Sequence, residues 1–347
     1  MGDKVTIGDI ARISNVSMST VSLVLNNKPG VSDETRARVL KAAEDLNYPV
    51  RSAAELDKCG TLRTIGMIVK TDPDLSPQAN PFYSKVMMGI EDTCRRSGID
   101  LLFATLPVDE NNCAVEVPQL LSNPNVDGLL MVGTFVDETF NELIAKYKTT
   151  IVLVDGYSNT ESYSTVVSDN FHAAYQAVEY LIGLGHRHIG LVGGVKDGYP
   201  SLKERRNGYL RALKDHEVAD TYVANFNINK SHGAQETIAL LKEYPQITAL
   251  FCVNDDAGST AIRAVQSMGK QIPADISIVG YDDTYLATNA HPALTTVHVD
   301  TVAMGRAAVR LLALCIENPG AARMTLTIHT RLIERESAGP VPQKTQL

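Results

Sequence analysis

Short apolar runs alternate with amphipathic stretches along most of the chain, and this alternation indicates its fold. From residue 62 onward, β-rich runs such as TIGMIVK, TIVLVDG and ISIVGYDD are separated by helical stretches over 82–97, 170–184, 203–214, 231–243 and 257–268. Strands that are apolar along their whole length belong to parallel sheets whose faces are covered by helices. Ten such runs within about 275 residues favour two doubly wound halves over one sheet.

The first sixty residues contain no such β-rich run and instead predict three short helices. Thr6, Ser17 and Ser32 each precede a helical stretch, where a hydroxyl side chain can accept a hydrogen bond from a free N–H. Asp9, three residues after Thr6, completes the pattern of a capping box. Pro49 ends the third helix, because the residue before a proline disfavours helical backbone.

The second of these helices, SMSTVSLVLN, has an apolar stripe and an opposite side of uncharged, mostly short residues. At about 100° per residue, the stripe consists of Val21, Val24 and Leu25. The turn SNVS joins this helix to the first one in about four residues, which predicts a helix-turn-helix. Such a pair is either an ordinary packing unit or an element that reads DNA, and its geometry alone leaves both interpretations open.

A series of sequence motifs in a fixed order, over residues 4–337, helps to choose between these two interpretations. The N-terminal stretches TIGDIARISNVSMSTVSLVLN and VSDETRARVLKAAEDLNYP resemble the DNA-binding domain of the LacI family of transcription repressors. The resemblance continues through NPFYSKVMMGIED, VVSDNFHAAYQAVEYLIGLGHRHIGLVGG and ALFCVNDDAGSTAIRAVQSMGKQIPADISIVGYDD. It implies an all-α helix-turn-helix domain with a hinge helix, then an α/β two-lobed periplasmic-binding-protein-like domain with parallel sheets. It also implies a repressor dimer on a palindromic operator, controlled by a sugar-like effector.

The resemblance assigns DNA contacts position by position. Met18, Ser19 and Leu23 stand where the family reads bases, and the positions that mainly hold the DNA backbone are Thr6, Ile7, Ser17, Thr20, Ser22 and Asn26. Many relatives carry arginine where this chain has Leu23. Arginine bonds guanine bidentately, whereas leucine can pack on a thymine methyl. We therefore expect weaker reading of G·C at that operator position.

The segment VRSAAELDK resembles the family's hinge helix, which enters the minor groove. Leu56 matches the leucine wedge of that helix and Ala53 its small neighbour, so both are predicted to contact DNA. Two departures are Val50, in place of the usual asparagine, and Ala54, in place of the usual arginine. The alternative interpretation of this segment is an ordinary linker.

Polar residues at strand ends form the candidate effector site, because open α/β sheets bind ligands beyond the carboxyl ends of their strands. Asp155, Asn254 and Asp282 are the candidates, whereas Asp255 or Asp256, and Asp283, could instead cap the structures that follow. The resemblance adds Arg206, Phe82 and Phe226, although the two phenylalanines could equally be core, and the arginines of KERRNGY could be a solvated face. Asn80, in the polar segment after the first strand, completes the set.

These assignments divide the chain into four parts. Residues 1–48 are predicted to form the DNA-binding domain, 49–61 the hinge and linker, and 341–347 a tail. Residues 62–340 are predicted to bind effector and to dimerise, with one lobe over about 62–162 and 293–324 and the other over about 163–292 and 325–340. The stretch SAGPVPQKTQL has no leucine heptads like those of the family's tetramerisation helix, so a dimer is expected.

Composition mainly narrows the alternatives. The net charge is −8, with +1 over residues 1–63 and −9 over the rest, so an acidic body accompanies a comparatively basic N-terminal segment. The five cysteines form no CxxC pair, and no signal peptide or membrane span is evident. We therefore expect a cytoplasmic bacterial protein rather than a periplasmic sugar-binding protein.

Motifs for catalysis and metal binding give no support to an enzyme. The chain has no GxxxxGK[ST], HExxH or GxSxG, and no cofactor is expected. His186 and His188 of HRH would point to opposite faces of a strand, which disfavours a shared metal. One further alternative stays open, which is a regulator whose effector is a protein rather than a small molecule.

Overall fold

The computed structural model describes residues 6–25, 31–46, 62–71, 80–109, 112–160, 162–196, 198–226 and 233–342. These residues fall into two compact units, one that runs up to residue 46 and is grouped with residues 95–98, and one formed by the other residues from 62 onward; each is described by itself. The predicted contacts Asn26, Ala53 and Leu56 lie outside the described residues. No helix in the described ranges is both long enough and apolar enough to cross a membrane.

The N-terminal unit consists of three helices, α1 (Ile7–Ser14), α2 (Met18–Leu25) and α3 (Asp33–Asp45). Its core contains Ile10, Val21, Val24 and Val39, none more than 3% exposed. The stripe predicted for the second helix is therefore confirmed at Val21 and Val24.

The predicted helix starts are confirmed, although the hydroxyl group of Thr6 donates to Asp9 instead of accepting a helix N–H as Ser17 and Ser32 do. The Asp9 carboxylate accepts hydrogen bonds from the Thr6 N–H at 3.0 Å and from the Thr6 hydroxyl at 2.7 Å. The hydroxyl of Ser17 accepts the Thr20 N–H at 3.1 Å, and the hydroxyl of Ser32 accepts the N–H three residues later at 3.4 Å. Each such cap contributes about 1 kcal/mol to its helix.

The second unit is built on two six-stranded sheets. The strands of the first sheet, in spatial order, are β13 (Thr325–Ile328), β7 (Ser164–Ser168), β5 (Thr150–Val154), β3 (Gly128–Val132), β1 (Thr64–Thr71) and β2 (Asp100–Pro107). Those of the second are β14 (Thr330–Ile333), β12 (Thr295–Val299), β11 (Ser277–Asp282), β10 (Ala249–Cys252), β8 (Ile189–Val192) and β9 (Tyr222–Ala224). All pairs are parallel except β12 with β14, and a small ladder joins β4 (Phe135–Val136) to β6 (Tyr157–Ser158).

Helices connect and cover these strands, as the parallel topology requires. They are α4 (Pro81–Ser97), α5 (Glu138–Ala145), α6 (Asn170–Gly183), α7 (Pro200–Asp215), α8 (Ala234–Glu243), α9 (Asp255–Ser267), α10 (Tyr285–Asn289) and α11 (Thr301–Glu317). Each sheet has its own apolar core. The predicted two-lobed α/β fold is therefore confirmed.

The strand pairings correct the predicted lobe boundaries. Residues 164–168 and 325–328 pair within the first sheet, although they had been assigned to the second lobe, and 295–299 pairs within the second. The chain crosses between lobes at Asp169, Asp300 and His329. The two aspartates cap the next helices by accepting the N–H groups of His172 and Ala303, so these two crossings coincide with helix starts, whereas the crossing at His329 joins two strands directly.

Candidate effector site and nucleic-acid interface

The beginning of α2 presents the predicted DNA-reading side chains to solvent. Met18 is 64% exposed, Ser17 and Ser19 are exposed, and Leu23 is half-buried. The hydroxyl oxygen of Ser17 lies 2.7 Å from that of Ser19 and 2.8 Å from that of Thr20. Short hydroxyl side chains in this arrangement allow a helix to approach a DNA backbone closely. The side chains of Ile7 and Ser22 are not described, so their predicted contacts stay predictions.

Two predicted residues, one from each lobe, stand at the carboxyl ends of strands. Asp155 follows β5 and Asp282 ends β11, with φ angles of 45° and 105° that non-glycine residues rarely adopt. The Tyr83 hydroxyl donates to one carboxylate oxygen of Asp155 at 3.0 Å. Among the described residues, Asp155 Oδ1 and Asp282 Oδ1 are the buried side-chain polar atoms that have no hydrogen-bond partner. Buried acceptors at strained backbone positions at strand ends are typical of a ligand-binding site.

Arg205 of α7 is the buried cation of this site. Its Nε donates to Asn170 Oδ1 at 2.8 Å and its Nη1 to the Val253 carbonyl at 2.6 Å. Nη1 also lies 3.3 Å from Asp282 Oδ1, an ion pair without hydrogen-bond geometry. The guanidinium stacks 3.6 Å from the centre of the Tyr281 ring.

Sequence reasoning missed Arg205 and selected its neighbour. Arg206 is half-buried and donates to the Gly194 carbonyl and to Asn225 Oδ1, and its effector-binding role stays a prediction. The suggestion that both arginines form a solvated face is wrong for Arg205, which is 4% exposed. Leu202, Arg205 and Tyr209 are all buried and follow helical spacing, so the periodicity of α7 could have identified Arg205.

Tyrosine side chains surround the Asp155 carboxylate. Tyr199, from the second lobe, donates to the Asp155 carbonyl at 2.8 Å and makes an edge contact with Tyr157 at 5.3 Å between ring centres. Lys70, at the end of β1, lies over the Tyr83 and Tyr199 rings at 5.4 Å and 5.8 Å. Tyr199 therefore joins the two lobes beside the unsatisfied Asp155 oxygen.

Burial dominates the electrostatics of this cluster. It raises the pKa of Asp155, and the positive charge of Arg205 only partly opposes this. Burial also raises the pKa of Asp282 to about 8, with Arg205 again opposing and the charges of Asp255 and Asp155 adding to the rise. The pKa of Asp255 is raised to about 6, mainly by burial, against hydrogen bonds from threonines. The site is therefore rich in carboxyl groups whose charge is poorly stabilised.

The helix cap after β10 is Asn254, and neither Asp255 nor Asp283 caps the structure that follows it. Asn254 is the residue that caps α9, because its Oδ1 accepts the Ala257 N–H at 2.9 Å. Asp255 is instead buried, where it accepts hydrogen bonds from Thr284 and Thr296. Asp283 pairs with Arg335 and His298 rather than capping a turn. Asn254 keeps its amide nitrogen for other partners, so its predicted ligand role remains a prediction.

The other predicted effector contacts, Asn80, Phe82 and Phe226, all have structural roles in the fold. Asn80 Oδ1 accepts the N–H groups of Phe82 and Tyr83 at 3.0 Å and 3.1 Å, which fixes the start of α4. Phe82 is buried and in edge contact with Tyr83, and Phe226 belongs to the apolar core of the second lobe. Phe226 therefore matches the alternative in which it is core, and the effector contacts of all three residues stay predictions.

The two histidines of HRH have separate partners. His186 is buried, with its ring nitrogens 2.9 Å from Thr248 Oγ1 and 3.0 Å from the Gly339 carbonyl. The Nδ1 of His188 lies 2.9 Å from the Tyr222 hydroxyl. Within the described ranges, no three His, Cys, Asp or Glu residues come together as metal ligands could.

These features define a class of protein, a transcription regulator with a helix-turn-helix unit and a ligand-binding-type body. The family model for bacterial regulatory proteins of the lacI family matches residues 6–49, and the model for the periplasmic binding protein-like domain matches residues 178–338. The chain is 31% identical over 337 residues to the HTH-type transcriptional repressor PurR of Aliivibrio salmonicida (strain LFI1238), covering 96% of this chain and 98% of that protein. The chain belongs to the lacI family.

Other similar proteins fit this membership. The ribose operon repressor of Haemophilus influenzae (strain ATCC 51907 / DSM 11121 / KW20 / Rd) is 32% identical over 336 residues, covering 96% of this chain and 98% of that one. A complex of the transcriptional regulator CelR with cellobiose has a TM-score of 0.66 and 26% identity, over 96% of this chain and 100% of that one. A LacI family regulator from Enterococcus faecium with bound ribose has a TM-score of 0.68 and 26% identity, over 80% of this chain and 100% of that one.

The family consists of transcriptional repressors, which are not enzymes. The prediction that this chain is a DNA-binding regulator and not an enzyme is therefore confirmed.

Proposed function

We propose that this protein is a cytoplasmic repressor that binds a palindromic operator as a homodimer and changes its operator affinity when a small molecule binds between its lobes. One observation carries the proposal: the same chain holds an exposed, capped helix α2 and an interlobe cluster whose carboxylates retain unsatisfied oxygens. A sugar or sugar derivative is the effector that these acceptors favour, because it supplies several hydroxyl donors to them. Ribose and cellobiose in the complexes of similar proteins point the same way.

In the proposed DNA complex, α2 enters the major groove of each half-site. Met18, Ser19 and Leu23 then reach base edges, while Thr6, Ser17 and Thr20 hold phosphates. The exposure of Met18, Ser17 and Ser19 supports these roles. Leu23 is half-buried, so it meets DNA with its tip and favours the methyl group of thymine over the polar edge of guanine.

The DNA-binding proposal is tested by selecting bound sequences from a random duplex pool with the wild type and with Leu23→Arg. A palindromic consensus should emerge, and the variant should shift one base of each half-site towards guanine. Discrimination of one base pair is typically worth about 1–3 kcal/mol, so the shift is measurable by competition. If both proteins select the same base at every position, Leu23 does not read DNA. If neither selects a consensus, the repressor function fails.

The effector proposal is tested on the selected operator. Fluorescence anisotropy of a labelled duplex with the full chain reports operator affinity as sugars such as ribose and cellobiose are added. An affinity change of about 5- to 150-fold would match the usual range of allosteric coupling, and its sign distinguishes inducer from corepressor. Operator binding that no sugar alters, but that a cell extract alters only while its proteins are intact, would favour a protein effector.

Dimerisation is supported by apolar side chains that remain exposed on the first lobe. Leu102 and Phe103 on the edge strand β2 are 36% and 44% exposed, and Met88 on α4 is 53% exposed. Exposed apolar groups along an edge strand are suited to burial against a second subunit. Sedimentation of the full chain at micromolar concentration should give twice the mass of the monomer.

A further inference from the structure

Arg12 lies on the exposed side of α1, and its guanidinium group is turned back towards the start of that helix. Its side chain is 78% exposed, and Nη2 donates to Asp9 Oδ1 at 2.6 Å. The other oxygen of the same carboxylate accepts the N–H and the hydroxyl group of Thr6. Long side chains in a helix point towards its N-terminus, so this placement follows from the spacing of three residues. One carboxylate group therefore separates the guanidinium group from Thr6.

The start of α1 is also next to the start of α2. A Cβ atom placed on Gly8 would lie 3.5 Å from the Thr6 hydroxyl oxygen and 3.9 Å from the sulfur of Met18. Met18 is the first residue of α2 and is 64% exposed. In a helix-turn-helix bound to DNA, the first residues of the second helix contact base edges while the first helix crosses the backbone. In such a complex, the start of α1 lies beside the phosphates that flank the groove.

Arg12 keeps hydrogen-bond donors that Thr6 has already used. Thr6 donates both its N–H and its hydroxyl hydrogen to Asp9, so it can donate to a phosphate only by giving up one of these bonds. Among the described residues, Asp9 is the one partner bonded to the guanidinium group of Arg12. That group has five N–H donors in a planar fork, which suits two oxygens of one phosphate. The donors that Asp9 does not hold are therefore available to DNA.

The charge of Asp9 gives this arginine a second effect on DNA. The hydrogen bonds from Thr6 lower the pKa of Asp9, and the charge of Arg12 also lowers it, so the carboxylate is ionised at neutral pH. A carboxylate without a partner at the start of α1 would repel an approaching phosphate, most strongly at low salt. The Arg12 charge, at 2.6 Å, offsets this repulsion, and its planar fork can bridge a carboxylate and a phosphate.

We propose that Arg12 binds a phosphate of the DNA backbone, with Asp9 holding its guanidinium group beside the groove that α2 enters. This inference rests on the proposed DNA-binding function. The contact does not depend on base sequence, because every duplex carries phosphates at the same spacing. The alternative is an exposed ion pair that serves only α1, and such a pair would leave the salt dependence of DNA binding unchanged.

The salt dependence of DNA binding tests this contact. Fluorescence anisotropy of the full chain is measured between about 50 and 200 mM salt, with the operator from the selection experiment and with a labelled duplex of mixed sequence. Arg12→Gln should make the slope of log affinity against log salt less steep by about 0.9 for each bound protomer. At about 0.1 M salt, affinity for both duplexes should fall by about 8-fold for each bound protomer.

Two further variants separate a phosphate contact from a structural role. Arg12→Lys keeps the positive charge without the planar fork, so it should retain the wild-type slope with a smaller loss of affinity than Arg12→Gln. Arg211→Gln breaks an exposed ion pair of the same kind, with Asp215 at 2.8 Å in the second unit, and should change neither slope nor affinity. A substitution that only destabilised α1 would lower the fraction of active protein and leave the slope as it is.

The outcomes separate this inference from the proposed function. An unchanged slope for Arg12→Gln would overturn the phosphate contact, and so would a loss of affinity confined to the operator, because a phosphate contact does not depend on sequence. An equal loss of slope in Arg211→Gln would indicate a general effect of charge and would also overturn it. If the wild type binds neither duplex, the proposed DNA-binding function fails, and the inference fails with it.

Discussion

Replacing Arg205 with methionine tests whether this arginine holds the interlobe cluster together. The substitution keeps an unbranched side chain and removes the guanidinium that donates to Asn170 and to the Val253 carbonyl. It also leaves Asp282 without its ion pair at 3.3 Å. Removing one partner from a buried ion pair costs about 3–5 kcal/mol, because the other charge stays buried.

The expected loss lies at the lower end of that range. Burial raises the pKa of Asp282 to about 8 even with the guanidinium present, and loss of the guanidinium raises this pKa further, so the substitution leaves a neutral carboxyl group rather than a buried charge. We therefore expect a loss of about 3 kcal/mol at pH 7. At about 2–4 °C for each kcal/mol in a body of this size, the melting temperature should fall by about 6–12 °C, measured by calorimetry of the full chain.

The matched control is Arg206→Met, which removes the same charge one residue further along α7. Arg206 is half-buried and bonds the Gly194 carbonyl and Asn225, so its replacement should lower the melting temperature by less than about 3 °C. Equal losses for the two variants, or no loss for Arg205→Met, would refute the assigned role.

A double variant separates the ion pair from the other contacts of Arg205. Asp282→Asn in the Arg205→Met background removes the stranded carboxyl group, so stability should recover by more than about 1 kcal/mol relative to the sum of the single effects. Additive losses would mean that the hydrogen bonds to Asn170 and Val253, rather than the charge pairing, account for the effect of Arg205.

Three further predictions follow from other parts of the structure. Burial raises the pKa of Asp282 in the folded protein to about 8, so deprotonation of this group disfavours folding as the pH rises towards 8. The free energy of unfolding of the wild type should therefore fall by on the order of 2 kcal/mol relative to that of Asp282→Asn between pH 6 and pH 8. Equal changes in the melting temperatures of the two proteins over this pH range would contradict the prediction. Tyr199→Phe removes one buried hydrogen bond between the lobes, worth about 1 kcal/mol, and should favour arrangements with the lobes further apart about fivefold, seen as a larger radius of gyration in X-ray scattering. Phe103→Asp, on the exposed edge strand, should convert the expected dimer to monomer in sedimentation, whereas an unchanged mass would place the interface elsewhere.

Features that depend on neighbouring residues were predictable from the sequence. The cap at Ser17 follows from a hydroxyl group placed before a free N–H, and the bond from the Thr6 N–H to Asp9 follows from an acidic residue three positions on; both are present. The apolar runs predicted strands because a parallel sheet buries both faces, and the runs around Ile151 and Ile278 became β5 and β11. No long-range information is needed for either signal.

Features that depend on distant packing were predicted less well. LTIHTRLIE is one β-rich run, but the chain crosses between lobes at His329, so the run forms one strand in each sheet. The helical stretches predicted from the sequence do not include α11, which buries residues on several of its sides. The choice between Arg205 and Arg206 depends on which side of α7 meets the body, and this is set where Gly208 packs against the backbone of α6.

The candidate site is connected to the places where the chain crosses between lobes, which gives the proposed regulation a physical route. Asp282 pairs with Arg205, whose guanidinium stacks on Tyr281, and the Tyr281 hydroxyl donates to the carbonyl of Asp169 at 3.4 Å. Asp169 is the first crossing and also caps α6. A ligand that rearranges the Asp282 carboxylate therefore acts, through Arg205 and Tyr281, on the hydrogen bond to the crossing residue Asp169.

Thermodynamic linkage requires that the effector and the operator change each other's affinity by the same factor. If an effector changes operator affinity by some factor, saturating operator must change effector affinity by the same factor, because both describe one coupling free energy of typically 1–3 kcal/mol. Arg205→Met, which breaks the connection between Asp282 and Tyr281, should reduce both factors together. A variant that bound effector and operator with undiminished coupling would show that the signal passes between the lobes elsewhere, with the Tyr199 contact to Asp155 as the next connection to remove.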